Sequence, residues 1–276
     1  MNFQLSTFNF QLFKMDKLRF LSLSSSSSGN CYYLGNSMYG ILIDAGIAVR
    51  TIKKRLRDVG VGLEQIYAVF VTHDHFDHVK SVGVLGEKYH LPVYTTSKVH
   101  EGINSCYGMT EKLSPHCQYI IENGQTVEIG EFRITSFPLP HDSKDNSGYI
   151  VNYRNKTFTF ATDLGCSTDI LCYYITQSDY LLLEANYDEE MLRTGSYHYL
   201  LKKRVGGNNG HLSNRAAAEI LAMHATERLS RVFLCHLSRE NNTPELAFET
   251  VSQAIKLDVE IIVLPRTSPT CMFELV

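Results

Sequence analysis

No stretch of this 276-residue chain approaches the roughly 20 consecutive apolar residues that a helix needs to cross a bilayer. Its longest apolar runs, such as Tyr67–Val71 and Ile261–Leu264, are far shorter, so a membrane-spanning helix is excluded. An excess of one charge is also missing. The chain has 26 Lys and Arg against 29 Asp and Glu, a formal net charge of −3. The global basic field that announces a nucleic-acid binder is therefore absent. Disorder as the main state is excluded too, because hydrophobic residues make up 44% and the net charge is small. Among the seven cysteines (Cys31, Cys106, Cys117, Cys166, Cys172, Cys235 and Cys271) no pair has C-x-x-C spacing. An odd, scattered set argues against a disulfide framework or a zinc ribbon, and for reduced thiols that pack as small hydrophobes. No Pro- or Ser-rich linker divides the chain. Its length can bury a full core as one large domain or two small ones.

Residues Met1–Lys14 repeat Phe-Gln-Leu and lack the charged start and continuous apolar stretch of a signal peptide. Met15-Asp16-Lys17 then directly precedes a strand-like run, Leu18–Leu23. The expectation is a native start at Met15, with residues 1–14 a non-native or disordered extension and 15–276 a single domain. Without a signal, a cytoplasmic location is expected.

What the chain does have is eleven histidines and a clear alternation of strand and helix signals. Leu18–Leu23, Tyr32–Leu34, Tyr39–Asp44, Tyr67–Thr72 and Leu91–Thr95 read as strands. Arg50–Gly60 reads as a helix with Ile52 and Leu56 on one face. Val79, Val82 and Leu85 mark a further short helix. Gln118–Val151 is β-rich, and Tyr149–Tyr153 with Thr157–Thr162 form a hairpin about Arg154-Asn155. In the second half Thr168–Thr176 is helical, Tyr180–Glu184 a strand and Asp188–Arg204 a long helix. Ser213 caps a helix over Asn214–His224, and Thr243-Pro244 starts another that runs to about Lys256. Arg231–Cys235 and Val259–Leu264 are strands. A β-heavy first half and a βαβα second half predict an α/β domain with two sheets between helices.

The informative stretch is His73-Asp74-His75-Phe76-Asp77-His78, directly after a buried strand. Imidazoles and carboxylates together suit zinc, manganese or iron far better than magnesium or calcium. His73 and His75 can serve one ion, and Asp77 and His78 its neighbour. The spacing H-x-H-x-D-H resembles the signature of the metallo-β-lactamase superfamily. That resemblance implies a four-layer αβ/βα sandwich with a metal site at one edge of its two sheets. It also implies ligands downstream: His141 in Phe137-Pro-Leu-Pro-His141, Asp163 in Phe158-Thr-Phe-Ala-Thr-Asp163, and His236 in Val232-Phe-Leu-Cys-His236. His73, His75 and His141 would hold one ion, Asp77, His78 and His236 the other, with Asp163 between and Asp77 also orienting the attacking water.

Four further segments narrow the resemblance. Ser26–Cys31, Leu183–Asp188, Gly210–Asn214 and His236–Pro244 are similar to a group of bacterial enzymes typified by YycJ and WalJ, relatives of tRNase Z. The similarity spans Leu18 to about Leu264. It implies a two-metal phosphodiesterase that acts on DNA from an end. In that reading His211, in Gly210-His211-Leu-Ser213, donates to the scissile phosphate or protonates the leaving oxygen. Glu184 would hold and polarise it, since a carboxylate raises a neighbouring histidine's pKa.

Backbone N–H groups of Ser28, Gly29 and Asn30 are candidates for a phosphate cradle. Lys202, Lys203 and Arg204, just before His211, are candidates for guiding a phosphate backbone. The run Lys53-Lys54-Arg55 reads as a solvated helix face, and His90, His100, His116, His198 and His224 as incidental. The expected cofactors are two divalent transition ions, zinc or manganese first, with iron and nickel also suited. The expected substrate is nucleic acid, with DNA before RNA. Hydrolysis of a small ester, thioester or lactone, and RNA processing, remain the alternatives, because one fold hosts many reactions.

Overall fold

Many strands here are apolar at both odd and even positions, so their sheets must be covered on both faces. In the structure, a computed structural model that describes residues 16–276, helices supply one cover and a second sheet the other. The expectation for residues 1–14 lies outside the described residues. The first part of the chain runs β1 (Leu18–Ser26), β2 (Gly29–Gly35), β3 (Gly40–Ile43), α1 (Val49–Asp58), β4 (Ile66–Phe70), α2 (Phe76–Val79), α3 (Val82–Tyr89), β5 (Val93–Thr95), α4 (Ser97–Ser105) and β6 (Gln118–Ile120). The chain then forms β7 (Thr126–Ile129), β8 (Phe132–Pro138), β9 (Ser147–Tyr153), β10 (Lys156–Ala161), α5 (Asp169–Gln177), β11 (Tyr180–Glu184), α6 (Glu189–Thr194) and α7 (Tyr199–Val205). Last come α8 (Asn214–His224), β12 (Arg231–Cys235), α9 (Pro244–Ala254), β13 (Glu260–Val263) and β14 (Phe273–Leu275).

One sheet has the order β14-β1-β2-β3-β4-β5-β6, the other β13-β12-β11-β10-β9-β8-β7. Phe20, Tyr32, Phe70, Phe158, Phe160 and Phe233 fill the space between them, with Phe20 4.5 Å from Phe233 and 5.0 Å from Phe158 by ring centroid. Outside the first sheet, Ile52 and Leu56 of α1, Leu85 of α3 and Val99 of α4 pack on Leu21, Leu42 and Val69. Outside the second, Ile175, Leu221 and Val251 of α5, α8 and α9 pack on Leu181, Leu183 and Val232. The result is the expected four-layer sandwich. Strand parity also places chemistry. Tyr180 and Leu182 face the inter-sheet core, so Glu184, two residues on, falls on the same inner side at the strand's end.

The long helix expected over Asp188–Arg204 is two helices. Gly195 ends α6, where a Cβ would lie 2.6 Å from the Met191 carbonyl. His198 then caps α7 by accepting from the Leu201 N–H. Lys202 reaches back to donate to the Arg193 carbonyl at 2.8 Å and closes the bend. Two elements had no sequence expectation: α4, whose cap is Thr96, and the edge strand β14.

Candidate metal centre

β8, β10, β11 and β12 run in one direction, so their C-terminal ends share one edge of the second sheet. His141, Asp163, Glu184 and His236 sit at those ends. On the first sheet β3 and β4 are parallel, and their ends carry Asp44 and the stretch His73–His78. Three of these residues hold left-handed backbone: Asp44 at φ 60°, Asp163 at φ 54° and His236 at φ 56°. Such conformations cost about 1–3 kcal/mol each for a non-glycine residue and persist where surrounding structure enforces them.

The imidazoles of His73, His75 and His141 form one triangle, with ring centroids 4.6, 4.8 and 5.0 Å apart. Asp77, His78 and His236 form a second, with Asp77 Oδ2 3.5 Å from His78 Nε2 and 3.6 Å from His236 Nε2. Asp163 reaches both groups: Oδ2 is 3.3 Å from His78 Nε2, Oδ1 is 3.2 Å from His236 Nδ1, and its carboxylate lies within 4.8 Å of a His73 nitrogen. Each triangle has its donor atoms within 4.8 Å of one another. Glu184 Oε1 lies 2.8 Å from His211 Nδ1 and 2.9 Å from His236 Nδ1.

The donor set fits divalent cations. His73 Nε2 and His236 Nε2 are buried and have no hydrogen-bond partner among the described residues. Leaving such atoms unsatisfied costs about 1–3 kcal/mol each, and a coordinated ion removes that cost. Burial, helped by the neighbouring His78, His141, His75 and His236, pushes His73 well below the usual histidine range. That leaves it neutral, the form a cation needs. Burial pushes the Asp77 carboxyl up, but His78 and His236 outweigh it and hold Asp77 well below the usual carboxylate range. Glu184 follows the same pattern, with His211 and His236 outweighing burial. Burial presses His211 and His236 down. Glu184 and Asp163 overcome it, raising His211 and lifting His236 to about 10.

The donors are held from behind by a set of buried groups. Asp44, which the sequence reading passed over, accepts from His78 Nδ1 at 2.7 Å and from the Thr72 N–H at 2.8 Å. Thr72 Oγ1 donates to both Asp44 oxygens and lies 3.0 Å from His73 Nδ1. The signal was present: a carboxylate ending the apolar run Gly40–Ile43 cannot be buried without a partner. On the other sheet, His141 Nδ1 donates to the Gly210 carbonyl at 2.9 Å, and Asn186 Nδ2 to the His236 carbonyl at 2.8 Å. Glu184 Oε2 accepts from the Leu164 and Leu212 N–H groups at 2.9 and 3.1 Å.

The substrate-binding candidates are placed differently from one another. The Ser28 N–H turns back to Ser26 Oγ, and Gly29 lies tight against the Gly46 backbone. Asn30 contributes its side chain rather than its N–H. Its amide donates to Asp77 Oδ2 at 3.3 Å and lies 2.9 Å from His78 Nε2. The expected backbone cradle is thus replaced by a buried amide that props up two donors, because the β1–β2 register points Asn30 inward. Lys202 is engaged at the α6–α7 bend, and Lys203 is exposed. Arg204 pairs with Asp142, whose Oδ1 is 3.5 Å from His141 Nε2. Of the histidines read as incidental, His100 is buried and faces the Tyr119 carbonyl at 3.2 Å.

Comparison with known proteins bears on this geometry. The chain is 36% identical over 241 residues to the exodeoxyribonuclease WalJ of Streptococcus pneumoniae, covering 87% of this chain and 89% of that protein. It is 31% identical over 239 residues to the exodeoxyribonuclease YycJ of Bacillus anthracis, with the same two shares, 87% and 89%. Among solved structures, the metallo-β-lactamase fold protein YhfI of Bacillus subtilis superposes with a TM-score of 0.70 at 16% identity, over 91% of this chain and 99% of that one. Zinc-bound PqqB of Methylobacterium extorquens gives 0.71 at 16% identity, over 93% and 100%. The family model for the beta-lactamase superfamily domain matches residues 39–236, the span from β3 to the last imidazole of the centre, and the chain belongs to that superfamily.

Proposed function

We propose that the protein is a two-metal phosphodiesterase that hydrolyses DNA from an end. The observation that carries this reading is the Glu184–His211 pair, 2.8 Å apart, set directly beside one triangle of three imidazoles and one of two imidazoles and a carboxylate. His73, His75 and His141 would hold one divalent ion, Asp77, His78 and His236 the second, and Asp163 would contact both. Ions bound there would supply a hydroxide nucleophile near neutral pH and neutralise charge on the phosphoryl oxygens. Zinc and manganese suit these donors best, and iron and nickel also suit them.

The protein's own residues do the rest. Asp77, kept ionised by His78 and His236, orients the attacking water. His211 has its Nδ1 engaged by Glu184, so Nε2 is the nitrogen left to face substrate. A carboxylate partner keeps that imidazole protonated, ready to donate to a phosphoryl oxygen or to the departing sugar oxygen. Only two of the seven ligands are carboxylates, so a loaded centre is locally positive and attracts phosphate although the chain's net charge is −3. The two relatives bear the name exodeoxyribonuclease, which supports DNA over RNA as substrate. A cytoplasmic setting fits the seven free cysteines. Among the described residues no helix is long and apolar enough to cross a membrane.

The test is cleavage of end-labelled DNA, single- and double-stranded, beside RNA, with a panel of divalent metals. The expected result is stepwise shortening of DNA in manganese or zinc that His78→Ala abolishes. Hydrolysis of a thioester or lactone without any cleavage of phosphodiesters would overturn the proposal.

A further inference from the structure

Helix geometry divides the basic run of α1, which the sequence presents as one solvated face. Arg55 turns inward and donates to the Leu23 and Thr267 carbonyls. Arg50, Lys53, Lys54 and Arg57 stay exposed, and positions three, four and seven residues on from Arg50 form one row on the helix surface. Across the row stand Val84 and Tyr89 of α3, and these six side chains line one groove. Lys53 Nζ lies 5.0 Å from the Tyr89 centroid and 3.3 Å from its hydroxyl. Lys54 pairs at 2.6 Å with Asp58, the one acid of the helix. Arg50 and Arg57 have no acid partner among the described residues.

Such a row weakens its own helix. Like charges three and four residues apart repel, and Arg50 sits in the first turn, at the positive end of the helix dipole, with no acid there to offset it. A face that served solubility alone would intersperse both signs. Cations lined up along one groove gain from a polyanion laid along them. Beyond Arg57 the groove meets Glu64, which ends the positive stretch.

The fold leads this groove away from the metal centre. β3 and β4 are parallel, so α1 starts at the edge that carries the donors and returns to the opposite edge. α3 does the same between β4 and β5. The loop that enters α1 is bonded to the donor stretch. The Ala45 N–H donates to the His78 carbonyl and the Gly46 N–H to the Asn30 carbonyl, both at 2.8 Å. A Cβ on Gly46 would come within 1.6 Å of the Asp77 carbonyl oxygen, so only glycine fits there. Arg50 is four residues beyond Gly46, which keeps its Cα within about 14 Å of that contact. From Arg50 to Arg57 the helix rises about 10 Å, the length of three phosphate intervals along one DNA strand.

We infer that the groove between α1 and α3 is a second binding site, which grips the phosphate backbone of the DNA behind the end being cleaved through Arg50, Lys53, Lys54 and Arg57. The inference rests on the nuclease reading and adds to it a seat for the body of the substrate. Charge complementarity and the groove's start beside the donors choose this occupant. A groove accepts one backbone, whereas an anionic membrane surface needs a protruding face.

The test uses the metal-loaded full chain as wild type, Arg50→Ala/Arg57→Ala, Arg50→Lys/Arg57→Lys and Arg57→Ala. One substrate is a long end-labelled oligodeoxynucleotide, in the single- or double-stranded form that the wild type cleaves. The other is bis(p-nitrophenyl) phosphate, whose one phosphate cannot extend from the centre to the groove. The readouts are the ratio of kcat/KM for the two substrates and the slope of log kcat/KM for the oligonucleotide against log salt. In the double alanine variant that slope is expected to become shallower by about 1.8 for a duplex or about 1.4 for a single strand, the value of two phosphate contacts. At about 0.1 M salt the ratio is then lower by roughly 25- to 60-fold. The double lysine variant is expected to keep both readouts. An unmoved ratio or slope in the double alanine variant, or an equal loss in the lysine variant, overturns the inference. Binding of anionic lipid vesicles through these arginines, with the ratio unmoved, would mark a membrane surface and overturn it too. Bound metal and circular dichroism report the fold. Should the double alanine variant lose ions, Arg57→Ala decides with half the slope change, since its exposed side chain stands at the end of α1 remote from the donors. A wild type that cleaves no oligonucleotide overturns the nuclease reading, and this inference with it. A wild type that cleaves it while both readouts stay unmoved in the alanine variants overturns this inference alone.

Discussion

The two sheets contribute to the centre in different ways. The first delivers His73, His75, Asp77 and His78 in one short stretch and backs them with Asp44, Thr72 and Asn30, all buried. The second delivers one residue per strand end, His141, Asp163, Glu184 and His236, and adds His211 from the loop before α8. Its backing is mostly backbone: the Gly210 carbonyl and the Leu164 and Leu212 N–H groups. On the proposed reading the first half would hold ions, and the second would hold ions and also carry the proton donor, with Glu184 placed to serve both tasks because it touches both His211 and His236.

Substitutions can break or sharpen that contrast. The largest effect is expected at Asp163, a carboxylate of the second half that reaches His73 and His78 of the first. Asp163→Ala should lower turnover on end-labelled DNA by roughly 10³-fold or more and reduce bound metal, read by elemental analysis. His211→Ala belongs to the second half alone. It should cost roughly 10²- to 10⁴-fold in kcat while metal content stays intact. A loss of ions in that variant would erase the distinction between the halves.

Asp44→Asn probes the first half. It leaves the ligands in place but weakens the acceptor behind His78, so metal affinity should fall by roughly 10- to 100-fold, with kcat recovering at saturating metal. Glu184→Gln should lower kcat without such recovery, because it also disorients His211. Equal responses of these two variants to added metal would argue against the contrast. The smallest effect is expected for Arg204→Ala. A rise in KM of less than about tenfold should accompany a salt dependence of log KM that is shallower by about 0.7, the value for one single-strand phosphate contact.

Much of this was legible in the chain because it depends on local rules. The stretch His73–His78 declares itself by spacing, and the strands Tyr180–Glu184 and Arg231–Cys235 and the Ser213 cap were readable residue for residue. Asp44 was not, since one carboxylate after an apolar strand has meaning only when His78, far along the chain, is packed against it. Asn30 was read through its backbone, while register turned its side chain inward. The bend at Gly195 was missed because Asp188–Arg204 satisfies helical periodicity on both sides of a glycine that tertiary contacts use as a stop.

By itself the sequence determined the kind of donors, their order along the chain and the alternation of elements, because ligand chemistry and side-chain periodicity are properties of neighbouring residues. The tertiary structure decided which nitrogen of each imidazole faces the centre, which carboxylate backs it and that Glu184 serves two histidines at once. Those outcomes depend on strand ends from two sheets meeting at one edge. The buried carboxylates and imidazoles there are satisfied by one another and by nearby backbone and Thr72, which leaves the Nε2 atoms of His73 and His236 for an ion.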